Sequence, residues 1–236
     1  MKPVHLCLAF QRVCRAVLLA SFWCALSMGA SAQQTVTNTF LGLNKAVPDG
    51  QPTGMTDTHL LLFTNENFLS ITDVRLTLEI EGGYNGDLYG YLVHDDGFVV
   101  LFNREGRTID NGHGYTQSGF EITFDDNAHD LHLYEEFSFT LNNRGQLTGT
   151  WAPDGRYIDP GGVSEATPRT ATLSSFGGLN PNGTWTLFLA DMDFGEESKL
   201  INWSLIITAV PEPSPVHLLV LGGFLCLCVR WKVMKK

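Results

Sequence analysis

Cysteine is absent from most of the chain. All five cysteines, Cys7, Cys14, Cys24, Cys226 and Cys228, sit near the two ends, and none lies between residues 33 and 210. That interior has no disulfide staples and no thiol nucleophile, so a hydrophobic core, with or without help from a metal, must hold it. Positive charge is scarce too: 15 Lys+Arg face 25 Asp+Glu, a formal charge of −10. A generic nucleic-acid binder needs a basic face to displace counterions from phosphates, which excludes that class. Charged residues make up 17% of the chain and hydrophobic ones 44%, which excludes a disordered polymer. Catalytic signatures are also missing. No Gly-x-Ser-x-Gly occurs, since Gly162-Val163-Ser164-Glu165-Ala166 fails at its last position, and no His-Glu-x-x-His occurs. The chain is rich in carboxylates, so chance pairs carry no message about glycoside hydrolysis. The expectation is a protein that is not an enzyme.

The two ends differ from the middle. Residues 1–32 carry Lys2, Arg12 and Arg15 and no acid, then an apolar run from Ala16 to Met28, then Ala30-Ser31-Ala32. A basic start, a short apolar stretch and a small-x-small triplet describe a secretory signal peptide, cut by signal peptidase after Ala32. The alternative is an uncleaved N-terminal anchor. At the other end Val216 to Val229 is apolar and is closed by Arg230, Lys232, Lys235 and Lys236. At a helical rise this run reaches about 21 Å, a short transmembrane helix that needs local thinning and snorkelling lysines. The basic cluster should stay cytoplasmic, which places the middle of the chain across the inner membrane. With both ends removed, 24 acids face 8 bases, and the exported body is near −16.

The join is Val210-Pro211-Glu212-Pro213-Ser214-Pro215. Three prolines in five residues continue neither strand nor helix, so this is an extended linker. The order Pro211-Glu212-Pro213, apolar run, basic tail resembles the PEP-CTERM sorting signal of Gram-negative bacteria, over residues 211–236. The resemblance implies processing by an exosortase near those residues, and a link to exopolysaccharide and biofilm. A plain single-pass anchor with a proline-rich stalk is the other reading.

The middle reads as all-β. In Asp73–Glu81 the residues Val74, Leu76, Leu78 and Ile80 alternate with Arg75, Thr77, Glu79 and Glu81. Thr184–Ala190 puts Trp185, Leu187 and Leu189 on one face, and Trp203–Thr208 does the same with Trp203, Leu205 and Ile207. Shorter candidate strands are His59–Phe63, Leu88–Val93, Phe98–Phe102, Phe120–Phe124, Phe137–Leu141 and Ala171–Phe176. Clusters such as Asn85-Gly86-Asp87, Asp95-Asp96-Gly97 and Asn180-Pro181-Asn182-Gly183 separate them. Many short strands predict a jelly-roll-like β-sandwich.

Several of these residues carry a second resemblance. They are Ile71-Thr72-Asp73-Val74-Arg75-Leu76, Tyr84-Asn85-Gly86-Asp87-Leu88, Asn180-Pro181-Asn182-Gly183-Thr184-Trp185 and Leu200-Ile201-Asn202-Trp203-Ser204-Leu205. In this order they resemble the P domain, or P/Homo B, that follows the catalytic domain in proprotein convertases and bacterial secreted proteases. The resemblance covers residues 45–208 and implies a jelly roll that stabilises or regulates a separate serine endopeptidase. Residues 127–170 depart from the pattern, and His94-Asp95-Asp96 stands where a Ser-Pro turn is usual. The resulting layout is signal peptide 1–32, lead-in 33–44, sandwich 45–210 and sorting signal 211–236.

Two ligand classes follow from the residues. Asp87, Asp125, Asp126, Asp191 and Asp193 at predicted loop or strand ends are candidate Ca²⁺ ligands, because hard oxygen donors suit that ion; the alternative is that such aspartates orient turns. In the cluster Asp125, Asp126, His129, Asp130, His132, Glu135 and Glu136, the histidines are candidates for a transition metal, although a solvated polar loop is the preferred reading. Exposed aromatics on a sandwich stack on sugars, and Tyr84, Tyr89, Tyr91, Tyr115 and Tyr157 are the candidates. The functional expectation is a non-catalytic surface or matrix protein with a structural or adhesive role. The alternatives are a carbohydrate-binding module, recognisable by a row of exposed aromatics on one face, and an accessory P domain beside a secreted protease.

Overall fold

The computed structural model describes residues 33–64 and 68–211. The signal-peptide residues Ala30 and Ala32, the sorting residues Glu212 and Pro213, and the apolar run 216–229 lie outside the described residues. Pro211 follows directly on the last strand. Among the described residues no helix is long and apolar enough to cross a membrane.

Among the described residues, ten strands form two sheets. They are β1 (Gln34–Phe40), β2 (Lys45–Val47), β3 (Gln51–Leu61), β4 (Ser70–Gly82), β5 (Leu88–His94), β6 (Gly97–Asn103), β7 (Gly119–Phe124), β8 (Leu147–Trp151), β9 (Gly183–Asp191) and β10 (Ser198–Val210). The six-stranded sheet runs β1-β10-β4-β7-β8, with β2 also on β10, and the four-stranded sheet runs β3-β9-β5-β6. Pairing is antiparallel except between β7 and β8.

The alternation read from the sequence is the cause of this architecture. Val74, Leu76, Leu78 and Ile80, then Trp185, Leu187 and Leu189, then Trp203, Leu205 and Ile207 are all buried, none more than 4% exposed. They belong to one core cluster that both sheets supply. A side chain in that position contributes roughly 1.5–3 kcal/mol through loss of apolar surface to water. The two tryptophans anchor opposite sheets. Trp185 lies flat on His94, centroids 4.0 Å apart, and donates from Nε1 to the Pro181 carbonyl at 3.1 Å. Trp203 donates from Nε1 to Asp57 at 2.6 Å.

Some expectations fail. The lead-in 33–44 contains β1, paired with β10 from Gln34↔Ala209 to Phe40↔Trp203, so it is part of the sheet. Phe137–Leu141 is no strand; Phe137 stacks on His129 and Phe139 meets the edge of Tyr134, so these rings pack as a loop. Residues Leu173–Phe176 form a 3₁₀ turn rather than a strand. The turn is seeded by Asp126, whose carboxylate accepts from the Leu173 and Ser174 amides.

Candidate functional site

The outer face of the four-stranded sheet carries a row of aromatic rings. Period two forces this placement. Leu88 and Leu92 of β5 point to the core, so Tyr89 and Tyr91 point away; Leu187 and Leu189 of β9 point to the core, so Phe188 points away. Register then makes neighbours of them, because Tyr91 lies opposite Phe188 across the β5–β9 ladder. Their rings stack at 4.6 Å and 13°. Tyr89 meets the edge of Phe188 at 6.2 Å and of Tyr91 at 5.9 Å. Tyr91 also contacts Phe98 of β6 at 5.3 Å, and Phe98 meets Tyr157 edge-on at 5.0 Å. Four of these rings are half-buried by one another, and Tyr157 is 70% exposed. Burial pushes the Tyr89 hydroxyl up to about 12 and raises that of Tyr91, so both stay neutral donors at physiological pH.

The rest of that face mixes hydroxyls with two aliphatic side chains, Val93 and Leu60, the latter 64% exposed. Thr56 and Thr58 of β3 and Thr184 and Thr186 of β9 lie on it, and Thr58 and Thr186 are hydrogen-bonded at 3.2 Å. Beside the row, Gly54 allows β3 to bulge between Gln51 and Met55. A Cβ there would sit 2.2 Å from the Leu189 carbonyl and 2.8 Å from the Phe188 ring, at a φ of +52°.

Of the five tyrosines named from sequence, the structure brings Tyr89, Tyr91 and Tyr157 together. Tyr115 packs instead on Tyr134, 4.4 Å away, against the core. Tyr84 stands apart before the Asn85–Asp87 turn. Phe98 and Phe188 were not among the candidates. The signal for Phe188 was present: it continues the outward set Thr184, Thr186, where an aromatic has no core to fill.

The five aspartates split into two sets. Asp87 and Asp193 flank Arg104, whose Nη2 lies 3.4 Å from both, and Asp191 lies beside Asp87 and Asp193. Asp125 and Asp126 lie at the far end of β7. There Asp125 pairs with Arg75 at 3.1 Å and accepts from Asn127 at 3.0 Å. Asp191 is buried with only long contacts, 3.4 Å from the Asp193 amide and 3.5 Å from the Ser198 hydroxyl. Burial, reinforced by Asp87 and Asp49, pushes Asp191 up to about 6, and burial also raises Asp87 despite Arg104. An acid whose folded pKa exceeds its unfolded value holds a proton in the folded state that the unfolded chain has released. Its stabilising effect is therefore lost as pH rises from about 4 to about 6. Tm in EDTA should be higher at pH 4.5 than at pH 7.5, and Asp191→Asn should narrow the gap. An unchanged gap would remove Asp191 as its source.

The stretch 127–170 is not a solvated loop. His132, Asp154 and Arg156 are buried in it, and Glu105 at the end of β6 is buried beside them. Arg156 holds Asp130 through two bonds, at 2.8 and 3.2 Å. Burial and the adjacent Asp154 charge hold Glu105 well above the ordinary carboxylate range. His129, the other histidine of that cluster, is taken up by its stack on Phe137 at 4.1 Å.

Among the described residues, no Ser/His/Asp triad forms around His59, His94 or His132. His59 is bonded to Asp57, His94 to the Thr184 and Asn180 carbonyls, and His132 to Asp154 and the Arg107 carbonyl. None of these histidines faces a hydroxyl nucleophile, and a triad needs that contact.

No family model matches the chain, and no curated protein matches it. Among solved structures it is similar to a serine protease of Aeromonas sobria, with a TM-score of 0.39 and 13% identity, over 77% of this chain and 28% of that one. It is also similar to a complex of Aeromonas sobria serine protease and its chaperone, with a TM-score of 0.37 and 14% identity, over 77% and 27%. The chain thus spans less than a third of the length of those proteins. Likeness at that level bears on neither the activity nor the partners of this chain. Its own residues define a two-sheet β-sandwich with an aromatic outer face.

Proposed function

We propose that the chain is an exported, non-catalytic carbohydrate-binding module of jelly-roll type, which holds a neutral polysaccharide on the outer face of its four-stranded sheet. The observation that carries this reading is the row Tyr89, Phe188, Tyr91, Phe98 and Tyr157. The axial C–H groups of a pyranose carry partial positive charge and pack on the negative face of an aromatic ring. Apolar rings kept on a water-facing sheet cost solubility, and contiguous patches of this kind mark interaction surfaces. The neighbouring threonines offer hydroxyls to the sugar's own. A body charge near −16 disfavours anionic polymers, which is why the ligand is neutral. In this reading the signal peptide and the PEP-CTERM-like tail deliver the module to the cell surface or to an exopolysaccharide matrix, after transient anchoring and exosortase cleavage.

The test is retention of the full chain, in mild detergent, on a panel of insoluble neutral polysaccharides. At least one should retain it. Tyr91→Ala and the surface variant Tyr157→Ala should each weaken binding about tenfold while the protein stays folded. Retention by none, or retention indifferent to both variants, would end this reading.

A second reading, an accessory P domain beside a separate secreted serine endopeptidase, rests on the sequence resemblance. The residues that carry it most specifically, Trp185 and Trp203, are fully buried, so they support a shared core more than a shared partner. Co-purification of a protease with the chain would favour it.

A further inference from the structure

Among the described residues, one group of three metal-ligating side chains brings its ligand atoms within 4.8 Å of one another: Glu105, His132 and Asp154, all buried. The group clips together the end of β6, the turn Leu131–Glu136 and the loop after β8. Each member has one polar atom tied to the backbone and the other turned to a common point. His132 Nε2 lies 3.0 Å from the Arg107 carbonyl, an acceptor, so Nε2 donates there, and Nδ1 is the nitrogen bonded to Asp154. Glu105 Oε1 accepts from the Asn103 amide at 3.2 Å, while Oε2 is buried without a hydrogen-bond partner. Asp154 Oδ1 accepts from the Arg156 amide at 2.8 Å, leaving Oδ2 inward. Nδ1 faces Asp154 Oδ2 at 2.7 Å and Glu105 Oε2 at 3.5 Å. These three atoms face one another in a dry interior and need a positive charge among them, either a proton on Nδ1 or a metal ion.

We propose that this buried triad is a structural site for a divalent transition-metal ion of the zinc class, ligated by Glu105 Oε2, His132 Nδ1 and Asp154 Oδ2. One imidazole and two carboxylates fill three of the four positions of a tetrahedral zinc, whose bonds of about 2.0–2.2 Å set ligand atoms about 3.4 Å apart. The present separations need only small adjustment. Backbone partners orient each ligand, as outer-shell groups do at metal sites. Arg156 directs its two short bonds to Asp130 and reaches Asp154 only at 3.7 Å, so it offsets the charge of Asp154 and Glu105 in part. Asn103 Oδ1, also buried and without a hydrogen-bond partner, lies on the residue whose amide holds Glu105. In a body without disulfides, such an ion would pin the irregular stretch 127–170 to the sheet.

The full chain, purified without a polyhistidine tag or chelator, should carry about one zinc per chain by plasma mass spectrometry. Stripping should lower Tm, and added Zn²⁺ should restore it. Glu105→Gln and His132→Gln should each reduce the metal at least fivefold. X-ray absorption of the wild-type zinc form decides the ligands even if both variants fail to fold. Nitrogen and oxygen near 2.0–2.2 Å with a single imidazole are expected, whereas sulfur at about 2.3 Å would assign the metal to the terminal cysteines and overturn the proposal. Absence of metal together with no Tm response to Zn²⁺ would overturn it too, leaving a proton as the buried charge.

Discussion

Trp203→Ala should cost roughly 4 kcal/mol or more and lower Tm by about 10–15 °C. The ring is fully buried at the centre of the longest strand pair, β10 on β4. Its removal opens a cavity that a two-sheet core closes only in part. The indole also donates at 2.6 Å to Asp57, a carboxylate only 2% exposed. Burial alone would raise Asp57, but its bonds to Lys45, Trp203 and His59 together hold it below the usual carboxylate range. Loss of one charge-assisted donor adds about 1.5–3 kcal/mol. Trp203→Phe separates the two effects: it keeps most of the volume and loses the donor, and should cost about half as much. Equal melts for the two variants would show that the hydrogen bond, not the volume, dominates.

Arg156→Leu should cost about 3–5 kcal/mol, a loss far beyond that of an ordinary surface arginine. Arg156 is 2% exposed and holds Asp130 through two bonds, with Asp154 3.7 Å away. Taking away the cation strands Asp154 in a dry interior and leaves the half-buried Asp130 with only Arg169, 3.9 Å away. The double variant Arg156→Leu/Asp130→Asn should recover part of the loss, because one of those two charges is gone. Chemical denaturation of the three proteins checks this. Arg156→Leu within about 0.5 kcal/mol of wild type would mean that water reaches the pair and the network is not closed.

The sheets were legible in the sequence because one face of each central strand is buried. The ten alternating positions from Val74 to Ile207 could be read without any partner strand. β1 could not, since Gln34-Thr-Val-Thr-Asn-Thr-Phe40 is an edge strand with half-exposed and exposed residues and little apolar signal. Gln51–Thr58, the first part of β3, was hidden by Pro52 and Gly54, which mark an edge and a bulge rather than a break. Of the aromatic row, Tyr89, Tyr91 and Tyr157 were named in advance, and Phe98 and Phe188 were missed. Tyrosine on an outward position is recognisable, but the meeting of Tyr91 with Phe188 depends on register between strands about 90 residues apart. The buried polar network was half-legible for a related reason: His132 was a metal candidate from the sequence, but Glu105 and Asp154 come from two other segments and were not connected with it.

The most direct test of the carbohydrate-binding claim is a titration of the protein, labelled with ¹³C at its tyrosine rings, with oligosaccharides cut from the retained polysaccharide. The account predicts saturable shifts at Tyr89, Tyr91 and Tyr157, with Tyr84, Tyr115 and Tyr134 unmoved. Shifts confined to Tyr84 or Tyr115, or no shift in any of the six at saturating sugar, would contradict it.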